Sequence, residues 1–118
     1  PLNTLVDHKG YYLNHSALGF KLVREVGSPA IRLLYDIYHM QVMEGNLIAT
    51  ITENSDLIGH VHVADVPGRH EPGTGEINYA NIYEALQRAG YDGYVGFEFE
   101  PTGTTEDALA EVKRIFRF

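Results

Sequence analysis

The sequence predicts an α/β fold in which three parallel strands and their helices form about half of a (βα)8 barrel. A short apolar segment, a polar loop and an amphipathic segment follow one another three times along the chain. The apolar segments end in polar residues at positions 36, 62 and 98, which are 26 and 36 residues apart. A strand–helix–strand unit needs roughly 30 residues. A complete barrel needs about 250 residues, whereas this chain has 118.

The three predicted strands are short, rich in β-branched or aromatic residues, and bounded by turn-forming residues. They span Ile31–Asp36, Ile58–Val63 and Tyr94–Phe99. Leu2–Val6 is a weaker candidate for a short additional strand. Strands that alternate with helices along a chain pair in parallel, which is why the pattern predicts strand–helix–strand units.

Apolar residues at helical spacing predict four helices around these strands. The four apolar sets, in chain order, are Leu18, Leu22, Val23 and Val26; Leu47, Ile48, Ile51 and the less regular Leu57; Ile82, Leu86 and Ala89; and Leu109, Val112, Ile115 and Phe116. Gly90 is suited to end the third helix. Thr104 or Thr105 is suited to cap the fourth, which has acidic residues in its first turn.

The composition is that of a single globular domain, predicted to span residues 1–118. Hydrophobic residues make up 44% of the chain, charged residues make up 21%, and cysteine is absent, so disulfide and thiolate chemistry are excluded. The net charge of −7 and the scattered basic residues argue against a nucleic-acid partner. No apolar run approaches the roughly 18 residues of a membrane span, and no signal peptide is visible, so we expect a cytoplasmic protein.

The chain is expected to be a piece of a longer barrel or to pair with another copy. It begins at Pro1, without an initiator methionine, in what reads as a loop. A half barrel has two unpaired strand edges, and such edges promote association with another chain. We therefore expect either a longer gene product or a homo-oligomer.

Three polar residues at predicted strand ends indicate a metal site. Asp36, His62 and Glu98 each fall where the active sites of (βα)8 barrels lie. Their mixed oxygen and nitrogen donors suit Mn²⁺, Co²⁺ or Mg²⁺, and also Zn²⁺. Each residue alone has a structural interpretation as well. Asp36 could cap a helix, His62 could be a buried histidine with satisfied hydrogen bonds, and Glu98 could face solvent.

Two further residues are candidates for substrate contact. His39 lies one turn beyond Asp36, and its alternative is a histidine on a helix surface. Arg69 lies in the long polar loop 64–76, where it offers a bidentate donor for a carboxylate or carbonyl; its alternative is a solvated loop arginine. We interpret His60 as structural, one layer deeper than His62 on the same face, and Glu100 as part of a loop.

Three segments make the family recognisable. LLYDIYHMQVMEGN, HVADVPGRHEPGTGEINY and GYDGYVGFEFEP resemble the C-terminal half of the hydroxypyruvate isomerase family, which belongs to the xylose-isomerase-like TIM barrels. Ketose 3-epimerases and 2-oxotetronate isomerases are related barrels. The resemblance implies a divalent metal held by Asp36, His62, Glu98 and one further Glu. It also implies that His39 and Arg69 contact substrate oxygens. His62 stands where many hydroxypyruvate isomerases carry Gln, and in this respect the chain is more similar to the epimerases.

The resemblance implies isomerisation of hydroxypyruvate to tartronate semialdehyde, or of a related α-hydroxy carbonyl compound, through an enediolate. Mn²⁺ or Mg²⁺ is the expected cofactor, and Glu98 is one of two expected acid/base glutamates. The other precedes a Pro-Leu-Asn sequence in the family, and this chain begins at Pro1-Leu2-Asn3. The chain alone is therefore expected to be inactive.

Three alternatives to this isomerase remain open. The first is a non-catalytic half barrel that self-associates. The second is a ketose 3-epimerase or a 2-oxotetronate isomerase. The third is a zinc-dependent hydrolase of the same superfamily, such as an endonuclease, which the acidic charge disfavours.

Overall fold

The structure of the chain is a computed structural model that describes residues 1–117. Phe118, which the predicted domain includes, lies outside the described residues. Three strands form one parallel sheet in the order β1-β2-β3. They are β1 (Leu33–Asp36), β2 (Ile58–Val63) and β3 (Tyr94–Phe97). The parallel arrangement predicted from the alternating pattern is confirmed.

Five helices surround or connect the strands in the described part of the chain. They are α1 (Ser16–Val26), α2 (Ile37–Met43), α3 (Leu47–Glu53), α4 (Tyr79–Arg88) and α5 (Thr105–Phe116), with a 3-10 turn at Ser55–Leu57. None of the helices within residues 1–117 has the length and apolar character that crossing a membrane requires.

The strand register brings the strand ends to one edge of the sheet. Asp36 pairs with His62 across β1 and β2, and His62 pairs with Gly96 across β2 and β3. The register places Glu98 two residues beyond Gly96, and its N–H still donates to the Val63 carbonyl at 3.1 Å. Because parallel strands all end at the same edge, the three predicted site residues lie side by side.

The core lies between the sheet and the helices. Alternate strand residues point to this side, so Tyr35, Val61 and Val63 are almost completely buried. Phe116 of α5 packs its ring edge-on against Phe97, with ring centroids 5.1 Å apart. The residues of the opposite sheet face are less buried, and Tyr94 on that face is 80% exposed.

Helix ends follow the turn chemistry of the sequence. Gly27 follows α1 with φ +63°, a left-handed conformation that glycine adopts without steric cost. Thr104, rather than Thr105, caps α5, and its hydroxyl oxygen accepts a hydrogen bond from the Asp107 N–H at 3.1 Å. Gly90 lies just beyond α4 with φ +67°, as expected for a glycine that ends a helix.

Some predicted boundaries are wrong. The first strand begins at Leu33 rather than Ile31, and the third ends at Phe97 rather than Phe99. Leu2–Val6 is not a strand. Leu2 donates one backbone hydrogen bond to the Leu34 carbonyl, but the chain then turns, because the Thr4 hydroxyl accepts from the Asp7 N–H.

Some predicted apolar stripes are also less regular than the sequence suggested. Val26, Ile48 and Leu109 are exposed, because their positions on the helices turn away from the sheet. Leu57 belongs to the 3-10 turn rather than to α3. A separate helix, α2, begins directly after Asp36 and was not predicted.

Candidate active site

Asp36, His62 and Glu98 converge at the carboxyl edge of the sheet. One potential ligand atom from each lies within 4.8 Å of the others. His62 Nδ1 lies 3.6 Å from Asp36 Oδ2 and 3.5 Å from Glu98 Oε2. Asp36 is buried, His62 is partly buried and the Glu98 side chain is 57% exposed. The sequence prediction that these three side chains lie together is therefore matched by the geometry.

Asp36 has different partners for its two carboxylate oxygens. Oδ1 accepts a hydrogen bond from the backbone N–H of His39 at 3.1 Å and so caps α2. Oδ2 faces His62. The structural interpretation of Asp36 as a helix cap is correct, and this cap leaves the second oxygen free to face the other two side chains.

Gly96 provides the space in which the histidines of β2 lie. The His60 and His62 rings are perpendicular, with centroids 4.9 Å apart. A Cβ atom on Gly96 would lie 2.7 Å from His60 Nε2, which is too close, and 3.0 Å from His62 Cδ2, which is tight. Burial, and secondarily the neighbouring His62, lower the pKa of His60, which favours its neutral form.

Arg69 reaches the site from the loop after β2. Its Nη2 lies 2.6 Å from Glu98 Oε2, and its guanidinium carbon lies 5.5 Å from the centre of the Tyr38 ring. This ion pair makes Arg69 more than a solvated loop arginine. The residue has φ +60°, an uncommon conformation for a side-chain-bearing residue.

Asp65 holds the Arg69 loop together. It is completely buried, and its carboxylate accepts hydrogen bonds from four backbone N–H groups at 2.8–3.1 Å. The donors are Val66, Gly73, Gly75 and Ile77. Its own carbonyl accepts from the Arg69 N–H at 3.0 Å. A side chain on Gly75 would collide with the Val66 carbonyl, so this path requires glycine there.

His39 is buried beneath the site rather than exposed on a helix surface. Its side chain is 2% exposed, with Nε2 3.8 Å from Asp36 Oδ2 and Nδ1 3.6 Å from Asp7 Oδ2. Burial lowers the pKa of His39, although the Asp36 carboxylate acts in the opposite direction. The imidazole is therefore expected to be neutral near pH 7.

These side chains line a cavity of about 330 Å³. It is bounded by Asp36, His39, His62, Arg69 and Glu98 together with Pro1, Leu2, Asn3, His8 and Leu34. Sequence reasoning found the first five residues. The sequence pattern did not identify Asp7, His8 and Gly96, whose roles depend on contacts between distant segments, nor Asp65, whose contacts lie within its own loop. Asp65 and Gly75 fall within a polar loop that the sequence marked as unusual, which was the only available signal.

The donor set fits a divalent cation. Two carboxylates and one imidazole are ligands that Mn²⁺, Mg²⁺ and Zn²⁺ accept in proteins. Two ligands of one cation, each about 2.0–2.3 Å from it, lie about 3 Å apart. The observed donor separations of 3.5 and 3.6 Å need only small side-chain shifts to reach that spacing.

Comparison with known proteins places these features in a family. A profile described as xylose isomerase-like TIM barrel matches residues 6–117. A hydroxypyruvate isomerase from Escherichia coli (strain K12) is 45% identical over 109 residues, which cover 92% of this chain and 42% of that protein. A 2-oxo-tetronate isomerase from Cupriavidus necator is 38% identical, over 96% of this chain and 43% of that protein.

Solved structures share the fold. A structure titled AP endonuclease, family 2, from Brucella melitensis superimposes with a TM-score of 0.90 at 38% identity. A 3-keto-D-glucoside 4-epimerase from E. coli superimposes with a TM-score of 0.82 at 30% identity. Each match covers 97% of this chain and 44% of the other. The chain thus spans about two fifths of the length of the relatives it matches.

Proposed function

Because the chain belongs to the family of xylose isomerase-like TIM barrels, we propose that it carries part of the active site of a metal-dependent isomerase. The substrate proposed is hydroxypyruvate or a related α-hydroxy carbonyl acid. The observation that supports this most is the convergence of Asp36, His62 and Glu98 beside Arg69. Relatives named hydroxypyruvate isomerase and 2-oxo-tetronate isomerase support this choice of substrate class.

Asp36, His62 and Glu98 are the residues that would hold the metal, with Mn²⁺ or Mg²⁺ as the first choice and Co²⁺ or Zn²⁺ as alternatives. Such a cation supplies electrostatic stabilisation for negative charge that develops on substrate oxygens. Asp36 is fixed by its helix-capping bond. The site would therefore lose little conformational freedom at this ligand on binding.

Glu98 would also act in proton transfer. Isomerisation of hydroxypyruvate removes a proton from C3 and adds one to C2, while the hydroxyl proton moves between the two oxygens. A positioned carboxylate can serve as the base and then as the acid. The family resemblance assigns Glu98 and a second glutamate to opposite sides of the substrate. Exposure of Glu98 on the cavity side is compatible with such contact.

Arg69 and His39 would orient the substrate. The Arg69 guanidinium is a permanent donor that can bind the carboxylate or carbonyl oxygen of a sugar acid. A neutral His39 could donate one hydrogen bond to a substrate hydroxyl. Both residues border the same cavity as Glu98.

We also propose that the 118-residue chain alone has little or no isomerase activity. Within residues 1–117 the sheet has three strands, whereas a closed barrel of this class has eight. The outer edges of β1 and β3 would pair with further strands of a longer product or with a second copy of the chain.

An epimerase is the second candidate function. His62 occupies the position at which the sequence is more similar to the epimerases, and a 3-keto-D-glucoside 4-epimerase shares the fold at 30% identity. The endonuclease alternative is suggested by the similar structure titled AP endonuclease, family 2. The net charge of −7 counts against this alternative, because phosphate binding relies on clustered basic residues.

Turnover by the complete gene product tests the proposal. With Mn²⁺ present, we expect hydroxypyruvate to be isomerised and a neutral ketose to be a poor substrate. Glu98→Gln should lower kcat by at least about a hundredfold, since general acid–base catalysis contributes about 10²–10⁴-fold. Glu100→Gln, two residues further along the same segment, is the matched control and should be nearly unchanged. Efficient epimerisation of the neutral ketose with no action on hydroxypyruvate would favour the second candidate.

A further inference from the structure

We propose that Arg69 and a divalent cation compete for the carboxylate of Glu98, so that Arg69 sets how tightly the site binds its metal. This inference rests on the proposed function, because it takes Asp36, His62 and Glu98 as the metal ligands. It adds a role for Arg69 that is separate from contact with substrate.

The contact that supports this proposal involves a single oxygen atom. Glu98 Oε2 is the carboxylate oxygen that lies 3.5 Å from His62 Nδ1, on the side of the other donors. The same Oε2 lies 2.6 Å from Arg69 Nη2. A short charge-assisted hydrogen bond therefore uses the oxygen that is best placed to bind a cation together with His62.

The loop holds Arg69 in this position. The Arg69 N–H donates to the Asp65 carbonyl at 3.0 Å, and the Arg69 carbonyl accepts from the Glu100 N–H at 2.9 Å. The side chain also lies over the Tyr38 ring. With both its backbone and its side chain in contact with neighbours, the guanidinium stays close to the three donors.

A cation can bind either oxygen of the Glu98 carboxylate, and in both cases the Arg69 guanidinium weakens its binding. If the cation uses Oε2, the hydrogen bond from Arg69 must lengthen or break. If the carboxylate turns to offer Oε1 instead, two positive groups lie on the same carboxylate, and they repel each other strongly at such short range. Removing the charge of Arg69 should therefore strengthen metal binding.

The competition also couples metal binding to the availability of Arg69 for other partners. A cation that draws Glu98 away from Arg69 leaves the guanidinium with unused donors that face the cavity. Those donors are then available to a substrate carboxylate or carbonyl. By thermodynamic linkage, metal binding and release of Arg69 from Glu98 must favour each other equally.

Calorimetric titration with Mn²⁺ tests the competition directly on the chain, without an activity assay. Arg69→Gln and Arg69→Ala remove the charge, and either one suffices if the other does not fold. Arg69→Lys keeps the charge. Arg88→Gln is the matched control, because Arg88 forms an exposed ion pair with Glu84 on α4 and its loss changes the net charge equally.

We expect Arg69→Gln and Arg69→Ala to bind Mn²⁺ about tenfold more tightly than the wild type, which corresponds to about 1.4 kcal/mol. Arg69→Lys and Arg88→Gln should stay within about threefold of the wild type. Unchanged or weaker binding by folded uncharged variants would overturn the competition while leaving the metal site itself in place. If the wild-type chain and all variants fail to bind Mn²⁺, both the competition and the proposed metal site in this chain are wrong.

Discussion

Asp36 lies where β1 ends and α2 begins, and its two carboxylate oxygens have different neighbours. One oxygen accepts the His39 N–H, and the other faces His62. A helix cap and a candidate metal ligand are therefore the same residue. This arrangement fixes the carboxylate before any cation arrives, because the capping bond is part of the fold.

Asp65 has a comparable influence on the loop that carries Arg69. Four backbone N–H groups donate to one carboxylate that is completely buried. Backbone N–H groups that lose their acceptor are costly in a folded protein, so this single side chain stabilises the path of the loop. The position of Arg69 next to Glu98 depends on that path.

Asp65→Asn should therefore be strongly destabilising. The amide group replaces one acceptor oxygen with a donor, so two of the four backbone N–H groups lose their acceptor inside the loop. We expect a loss of about 2–4 kcal/mol in the free energy of unfolding, measured by urea denaturation. Asp92→Asn, an exposed aspartate, should change it by no more than about 0.5 kcal/mol. Equal effects of the two substitutions would show that the carboxylate of Asp65 is not needed.

Some residues of the candidate site can be identified from the sequence alone, and others cannot. Asp36, His62 and Glu98 could be found, because each lies at or next to the end of a strand and the ends of parallel strands meet at one edge. Gly96 and Asp7 could not be found. Their importance depends on which residues face them across the sheet or from α2, and that information is not local. The burial of His39 likewise depends on the turn formed by residues 4–8.

The loops after β2 and β3 are joined by side-chain contacts. Glu71 accepts hydrogen bonds from the Thr102 N–H at 3.0 Å and from the Thr102 hydroxyl at 2.6 Å. His70 Nδ1 lies 2.8 Å from the Glu100 carbonyl oxygen. Arg69 and Glu98 belong to these same two loops, so the contacts hold the two residues in position.

This connection between loops should depend on pH. Hydrogen bonds from Thr102 hold the pKa of Glu71 below its usual value, although burial acts in the opposite direction. A carboxyl group whose pKa is lowered by folding stabilises the folded state at pH values above its usual pKa of 4.5. This stabilisation is lost as the pH falls through the lower pKa of the folded state. Glu71→Gln should therefore be less stable than the wild type at pH 7, with the difference shrinking below about pH 4.

Thermal unfolding from pH 7 to pH 3 measures this dependence. Glu53→Gln, on an exposed part of α3, serves as the control and should leave the pH profile unchanged. A constant difference between the wild type and Glu71→Gln across this range would mean that ionisation of Glu71 does not contribute.

Secondary-structure elements were predicted well where periodicity is strong and less well at their ends. β2 follows from local pattern, and each of the four apolar sets lies mostly in a helix. Val26, Ile48 and Leu109 are exposed, however, and Leu57 lies in the 3-10 turn. The separate helix α2 was missed, because its start depends on Asp36 acting as a cap and its apolar residues continue directly from the strand. The first and third strands are shorter than predicted, and the third ends at Phe97 although the Glu98 N–H still donates to the Val63 carbonyl of β2.

The two faces of the sheet lie in different environments. The face towards the helices is buried, whereas Tyr94 on the opposite face is largely exposed. In a closed barrel that face would be the interior. The partly exposed face and the outer edges of β1 and β3 are consistent with a chain that spans about two fifths of the length of its relatives.

The most direct test of the metal site is calorimetric titration of the chain with Mn²⁺, comparing it with the variant Asp36→Ala, His62→Ala, Glu98→Ala. The matched control changes the same residue types at exposed positions: Asp92→Ala, His15→Ala, Glu25→Ala. We predict saturable binding by the wild type and the control, and none by the first variant, because the three strand ends supply the ligands. Binding that survives in the first variant, or no binding by the wild type, would contradict the proposed metal site.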